Sequence, residues 1–202
     1  MNNLKETFGN IDIYLFDQLL KGTYDNCRKI IDVGCGSGRN IVYFLSNGFD
    51  VYGIDPEPEA IEHVKSLSRE LAPTNSLENF KIGLAENIPF EESFFDLAIC
   101  SAVLHFAKDH NHFHAMVTSI WNSLKPGGFF FARLASSIGI ETSVIDLGNG
   151  RYLLPDGSER YLVDEEMLLD LTRKLNGKFY EPIKTTNVQN IRCMTTWGIV
   201  KQ

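Results

Sequence analysis

Asp32-Val33-Gly34-Cys35-Gly36-Ser37-Gly38 places three glycines at alternate positions directly after a short apolar run, residues 28–33. That run is rich in β-branched residues and reads as a buried strand. Residues 39–46 read as the helix that follows, with Gly48 just beyond its end. Strand, glycine loop and helix together form the opening unit of a parallel sheet. In open sheets of this kind the ligand crevice lies at the carboxyl ends of the strands. Glycines there let the main chain pass close to whatever is bound.

The same rhythm continues outward from this unit. Residues 49–54, 80–85, 95–101 and 129–134 read as further strands. Between them, residues 56–71 form a helix with Ile61, Val64, Leu67 and Leu71 on one face, and Asp109 caps another carrying Phe113, Met116, Val117, Ile120, Trp121 and Leu124. Lys125-Pro126-Gly127-Gly128 stops that helix. The pattern predicts an α/β chain of Rossmann-like, doubly wound type: a mostly parallel sheet between two helical layers, with right-handed crossovers. Residues 135–163 break the rhythm and read as a loop-like insertion, with turns at 148–150 and 155–157. Asp164 caps a last helix bearing Met167, Leu168, Leu171 and Leu175, and residues 178–188 and 192–200 are expected to close the sheet as an antiparallel pair. One domain is expected: a lid at 1–27, a core at 28–135, a substrate-side insertion at 136–163, and a closing helix and strands at 164–202.

Composition narrows the function. The chain has 202 residues, 44% of them apolar and 22% charged, as in soluble globular proteins. Nineteen basic against 26 acidic residues give a net charge of −7, a field that disfavours nucleic acid or an anionic bilayer as partner. No apolar stretch reaches membrane-spanning length, and the first residues lack the pattern of a secretion signal. Cys27, Cys35, Cys100 and Cys193 are scattered and read as reduced thiols. A cytoplasmic setting is expected.

The loop itself chooses among ligands. A P-loop needs Lys-Ser/Thr after its last glycine, and Arg39-Asn40 stand there instead. A dinucleotide fingerprint needs G-x-G-x-x-G, and here the third glycine comes one residue early. Asp32 precedes the loop, which disfavours a pyrophosphate and suits a cation. Asp55 ends the second strand, 17 residues past Gly38, where a carboxylate can accept from ribose hydroxyls. An adenosine-bearing ligand with a positive centre fits, and S-adenosylmethionine is such a ligand.

At this point the chain resembles the class I S-adenosylmethionine-dependent methyltransferases over residues 28–135, about half its length. IIDVGCGSG (30–38) resembles their first motif and VYGIDPEPEAIEHVK (51–65) their second; SFFDLAICSAVLHF (93–106) and LKPGGFFFARL (124–134) resemble the fourth and fifth. The Gly-Arg-Asn step at 38–40 is similar to the small-molecule branch that includes tellurite-resistance-type methyltransferases. The resemblance implies that Gly34, Cys35, Gly36 and Gly38 pack on the cofactor. It implies that Asp32 orients the loop and the methionine amino group, that Asp55 holds the ribose, and that Pro56 flanks the adenine. It places Ala85 and Glu86 beside the base and Ser101 beside the methionine moiety, with S-adenosylhomocysteine as product. Leu84 stands where the family often has Asp, so the usual carboxylate contact to the adenine amine is missing and Glu86 or backbone groups must replace it.

Methyl transfer needs positioning more than acid–base machinery, so the acceptor side is less legible. Tyr14, in GNIDIYLFDQLLKG (9–22), is the expected residue closing over the cofactor, with simple packing as its other reading. His105 is a candidate general base or substrate hydrogen-bond partner, or a histidine that only packs. His110, His112 and His114 open a helix and do not converge on one face, so no metal site is expected. Arg133, Arg151 and Arg160 stand where they can clamp an anionic acceptor or pair with nearby acids. The expected activity is methyl transfer to a small molecule. The alternatives are an RNA or protein methyltransferase of the same fold, and a non-catalytic S-adenosylmethionine-binding protein.

Overall fold

The structure, a computed structural model, describes residues 4–202; the first three residues of the expected lid lie outside them. Two short helices, α1 (Leu4–Phe8) and α2 (Ile13–Leu20), precede β1 (Lys29–Val33), α3 (Val42–Ser46), β2 (Asp50–Asp55), α4 (Pro58–Leu71) and β3 (Phe80–Ile82). There follow β4 (Phe95–Ser101), α5 (His110–Ser123), β5 (Leu124–Ser136), β6 (Ile145–Gly148), β7 (Arg151–Leu153) and β8 (Glu159–Tyr161). The chain ends with α6 (Glu165–Lys174), β9 (Gly177–Phe179), β10 (Lys184–Val188) and β11 (Arg192–Lys201).

Among the described residues the main sheet has eight strands, ordered β10-β11-β5-β4-β1-β2-β3, with β9 pairing the far end of β11. The strands from β5 through β3 run parallel, while β11 lies antiparallel between β5 and β10. The expected Rossmann-like architecture is therefore present. The order reverses at β1, which pairs β2 on one side and β4 on the other. That is the topological switch where such sheets hold ligands.

Both sheet faces are covered, which is why the central strands are mostly apolar, with Asp32 buried among them. Along β1, Ile30 enters one core with Phe44, Val64 and Leu97, whereas Ile31 and Val33 enter the other with Phe113, Ile120 and Phe130. Fully burying each such side chain contributes roughly 1.5–3 kcal/mol. Asp109 Oδ1 accepts from the His112 N–H at 2.8 Å and Asp164 Oδ1 from the Met167 N–H at 2.7 Å, so both expected caps form.

Three local expectations change. The helix after the glycine loop starts only at Val42, because Gly38 (φ +75°) leads into a turn and the Asn40 side chain reaches away to accept from the Asp12 N–H. The insertion is not irregular: β6, β7 and β8 form an antiparallel three-stranded sheet. Tyr161 anchors this small sheet, stacked on Phe113 with its hydroxyl 2.8 Å from His110 Nδ1. Strands of three and four residues are too short to show a period of two. In the tail, the first expected strand splits into β9 and β10, which pair opposite ends of β11.

Candidate active site

The glycine loop is tied down from beneath. The Gly34 and Cys35 N–H groups both donate to the Ile54 carbonyl, at 2.8 and 3.0 Å, and the Gly36 N–H donates to Asp55 Oδ2 at 2.9 Å. Asp55 Oδ1 accepts from the Glu57 N–H at 3.0 Å. The end of β2 and the loop after β1 thus form one unit, with the Asp55 carboxylate between them. Gly34 and Gly36 both have positive φ, for different reasons. A Cβ on Gly34 would lie 2.3 Å from Val103 Cγ2, whereas one on Gly36 would meet nothing within 4 Å. The backbone at Gly36 borders open space.

Asp32 is buried, and its Oδ2 has no hydrogen-bond partner. Burial pushes its carboxyl up to about 8, with Arg39 opposing and Asp55 adding to the shift. A buried polar oxygen without a partner is costly, so this atom calls for a donor or a cation.

Beside the loop, at the carboxyl ends of β4 and β5, opens a cleft of about 470 Å³. Ser101 and Arg133 sit side by side in register at its floor. Arg39 donates through Nη2 to Ser101 Oγ at 3.0 Å. Asp12, buried at the start of α2, lies 3.7 Å from Arg39 Nη2 and 3.4 Å from Arg133 Nε. Tyr14 stands behind this wall: the Arg133 guanidinium packs 4.6 Å over its ring, and its hydroxyl is 2.6 Å from Thr186 Oγ1.

His105 lines the cleft, and its Nδ1 accepts from the Ala135 N–H at 3.3 Å. The neutral ring then carries its proton on Nε2, a donor. Burial pushes the imidazole pKa down to about 4, with Arg160 adding to the effect. Its folded value lies below its ordinary one, so the stability it contributes is complete above pH 6.5 and lost as pH falls toward 4. The melting temperature of the native chain is expected to exceed that of His105→Gln at pH 7.5, and this margin is expected to shrink steadily down to pH 4.5. A margin independent of pH would refute the assignment.

The remaining candidates are dispersed. Pro56 is exposed beside Asp55, Ala85 is buried, and Glu86 lies 3.2 Å from His112 Nε2. His110 turns to Tyr161 and His112 to Glu86. Among the described residues no three His, Cys, Asp or Glu side chains are grouped to hold a metal ion. Arg151 leaves the expected clamp, donating to the Ala107 carbonyl at 3.2 Å and pairing with Glu159 at 3.4 Å. Arg192, at the start of β11, joins Arg39, Arg133 and Arg160 in the cleft instead. Sequence reasoning missed Arg192 because strand pairing across some sixty residues brings it there.

A family profile described as a methyltransferase domain matches residues 31–132, half of the chain. The chain belongs to the methyltransferase domain family. An uncharacterised methyltransferase from Synechocystis is 32% identical over 103 residues, covering 51% of this chain and 45% of that protein. A tRNA U34 carboxymethyltransferase from Shewanella putrefaciens is 26% identical over 181 residues, covering 84% of this chain and 46% of that protein. The chain thus spans about half the length of the curated relatives it matches. Among solved structures, the 1,6-didemethyltoxoflavin-N1-methyltransferase of Burkholderia thailandensis, with 1,6-didemethyltoxoflavin and S-adenosylhomocysteine bound, shares the fold at a TM-score of 0.68. Its identity is 18%, over 92% of this chain and 76% of that one. The methyltransferase domain match ends at residue 132, so Arg133, Arg160 and Arg192 all lie beyond it.

Proposed function

We propose that this chain is an S-adenosylmethionine-dependent methyltransferase that acts on a small-molecule acceptor and releases S-adenosylhomocysteine. The observation that carries the reading is the pairing of an orphaned, buried Asp32 oxygen with open space over Gly36. An ammonium fits the first and an adenosine-bearing chain the second. When bound, S-adenosylmethionine supplies a methyl carbon on a sulfonium, and the bond to sulfur breaks as an acceptor lone pair attacks in line.

The residues divide accordingly. The Gly34, Cys35, Gly36 and Gly38 backbone cradles the ligand, Asp55 accepts from its ribose hydroxyls, and Pro56, Ala85 and Glu86 flank its base. Asp32 faces the methionine ammonium. Ser101 and Arg39 serve the methionine end, where Arg39 is the cation that matches a carboxylate. His105 donates to the acceptor through Nε2, Arg133 faces the acceptor, and Tyr14 positions Arg133. The core at 28–135 thus binds the cofactor, while the small sheet and the closing strands shape the acceptor side. The negative net charge and the concave cleft favour a small acceptor over RNA. The four buried, free thiols suit a reducing cytoplasm. Among the described residues no helix is long and apolar enough to cross a membrane.

Calorimetry with S-adenosylmethionine, S-adenosylhomocysteine and NAD tests the reading; binding of NAD alone would overturn it. The pH dependence is a sharper check. The raised Asp32 value means that the free protein holds a proton there below about pH 8. Binding of a cation beside it is expected to release about one proton at pH 7. Affinity for S-adenosylmethionine then rises by up to about tenfold per pH unit and levels off near pH 8. Titration in buffers of different ionisation enthalpy counts the proton, and Asp32→Asn removes both the release and the slope.

A further inference from the structure

We infer that the acceptor is a small organic acid, its anionic head seated among Arg133, Arg160 and Arg192 and its apolar body against Leu154, Val188 and Met194. This rests on the methyltransferase reading and adds to it the substrate class. In a chain of net charge −7, the cleft concentrates cations: four arginines stand against Asp12 and Asp156.

The two acids offset only part of this positive charge. Asp12 lies between Arg39 and Arg133 and also caps α2, its Oδ1 accepting from the Tyr14 N–H. Asp156 accepts from the Ser158 N–H at 3.0 Å and the Ser158 hydroxyl at 2.6 Å, and these bonds, with the nearby Arg192 and Arg160 charges, hold its carboxyl below the usual range, so it stays ionised. Among the described residues Arg160 and Arg192 make no direct ion pair, and the single charge of Asp156 acts on both from farther off. Arg160 donates Nη1 to the neighbouring Glu159 carbonyl and packs over the Phe106 ring, which fixes its orientation. A guanidinium held this way suits the planar oxygens of a carboxylate or the oxygens of a phosphate, and the exposed Arg192 adds a second beside it.

The rest of the wall agrees. His105 presents an Nε2–H donor beside the arginines and brings no positive charge of its own to repel them. Leu154 belongs to a small apolar cluster with Ala135 and Leu162, and Met194 packs against that cluster. Apolar and cationic side chains thus share the lining, Val188 standing opposite Arg192 across the strands and Met194 two residues on, and the volume accommodates a ring-sized molecule. A carboxylate and a phosphate monoester share the recognising chemistry.

The full chain is first titrated with S-adenosylhomocysteine and then, saturated with it, with 4-hydroxybenzoate, phenyl phosphate and 4-hydroxybenzamide. Both anions are expected to bind at least about tenfold more tightly than the amide of matched shape, and the tighter of the two shows which head group the site prefers. Arg160→Gln/Arg192→Gln is expected to reduce both anions to the level of the amide, and Arg192→Gln alone to remove part of the preference. Arg151→Gln, outside the cleft, is expected to keep it. Thermal melting shows that each variant is folded. Equal binding of anion and amide by the loaded protein, a preference that survives the double substitution, or displacement of the anions by transfer RNA overturns the organic-acid assignment and leaves the methyltransferase reading standing. Failure of S-adenosylhomocysteine to bind overturns both.

Discussion

Gly36→Ala is expected to fold and to lose its cofactor, whereas Gly34→Ala is expected to lose its fold stability. Both positions hold left-handed backbone, at φ +49° and +74°, so an alanine costs roughly 1–2 kcal/mol at either. At Gly36 the added methyl meets no protein atom, so little more is lost and melting shifts by a few degrees. The methyl would instead stand in the ligand's space, and affinity for S-adenosylhomocysteine should fall by about a hundredfold or more. At Gly34 the methyl collides with Val103 at 2.3 Å, and overpacking of that kind adds roughly 1–3 kcal/mol. Melting curves and calorimetry on the two variants separate these outcomes. Equal loss of binding at equal stability would mean that the open space beside Gly36 is not the ligand's.

Asp55→Ala should be nearly as severe. The carboxylate already accepts from the Gly36 and Glu57 N–H groups and retains lone pairs for two hydroxyls. Losing two charge-assisted bonds, at roughly 1.5–3 kcal/mol each, weakens binding by about a hundredfold to ten-thousandfold. The substitution also leaves two backbone donors without their acceptor and loosens the loop before any ligand arrives. Asp55→Asn keeps one acceptor oxygen and is expected to restore melting more than affinity. Restoration of both by Asn would argue that the residue shapes the loop and never meets the ribose.

Much of this architecture is legible in the residues because its signals are local. The run into Asp32, the three glycines and the caps at Asp109 and Asp164 each act within a few positions, and the structure forms each of them in place. The acceptor side is not local. Arg192 reaches the cleft because β11 inserts beside β5, with Cys193 opposite Ser136 and Thr196 opposite Arg133, and no short window of sequence encodes that pairing. The tautomer of His105 depends on the Ala135 N–H, thirty positions away. Tyr14 has the ring expected near a ligand, but its hydroxyl goes to Thr186 and its face to Arg133. The small sheet is hidden because its strands run for only three or four residues, too few for the alternation of Ile145 and Leu147 about Asp146 to stand out from a loop.

That the family match ends one residue before Arg133 has an evolutionary consequence. On the proposed function, the part that grips a common reagent precedes most of the part that chooses its recipient, and the two share one core, where Tyr161 stacks on Phe113 and Trp197 packs against Phe130. Substitutions at cleft positions outside that core, such as Arg160 and Arg192, leave the glycine turn untouched, so on that reading descendants can change clientele while keeping the same donor. A lineage built this way diversifies by redecorating one wall, and its members should differ most among themselves after residue 132.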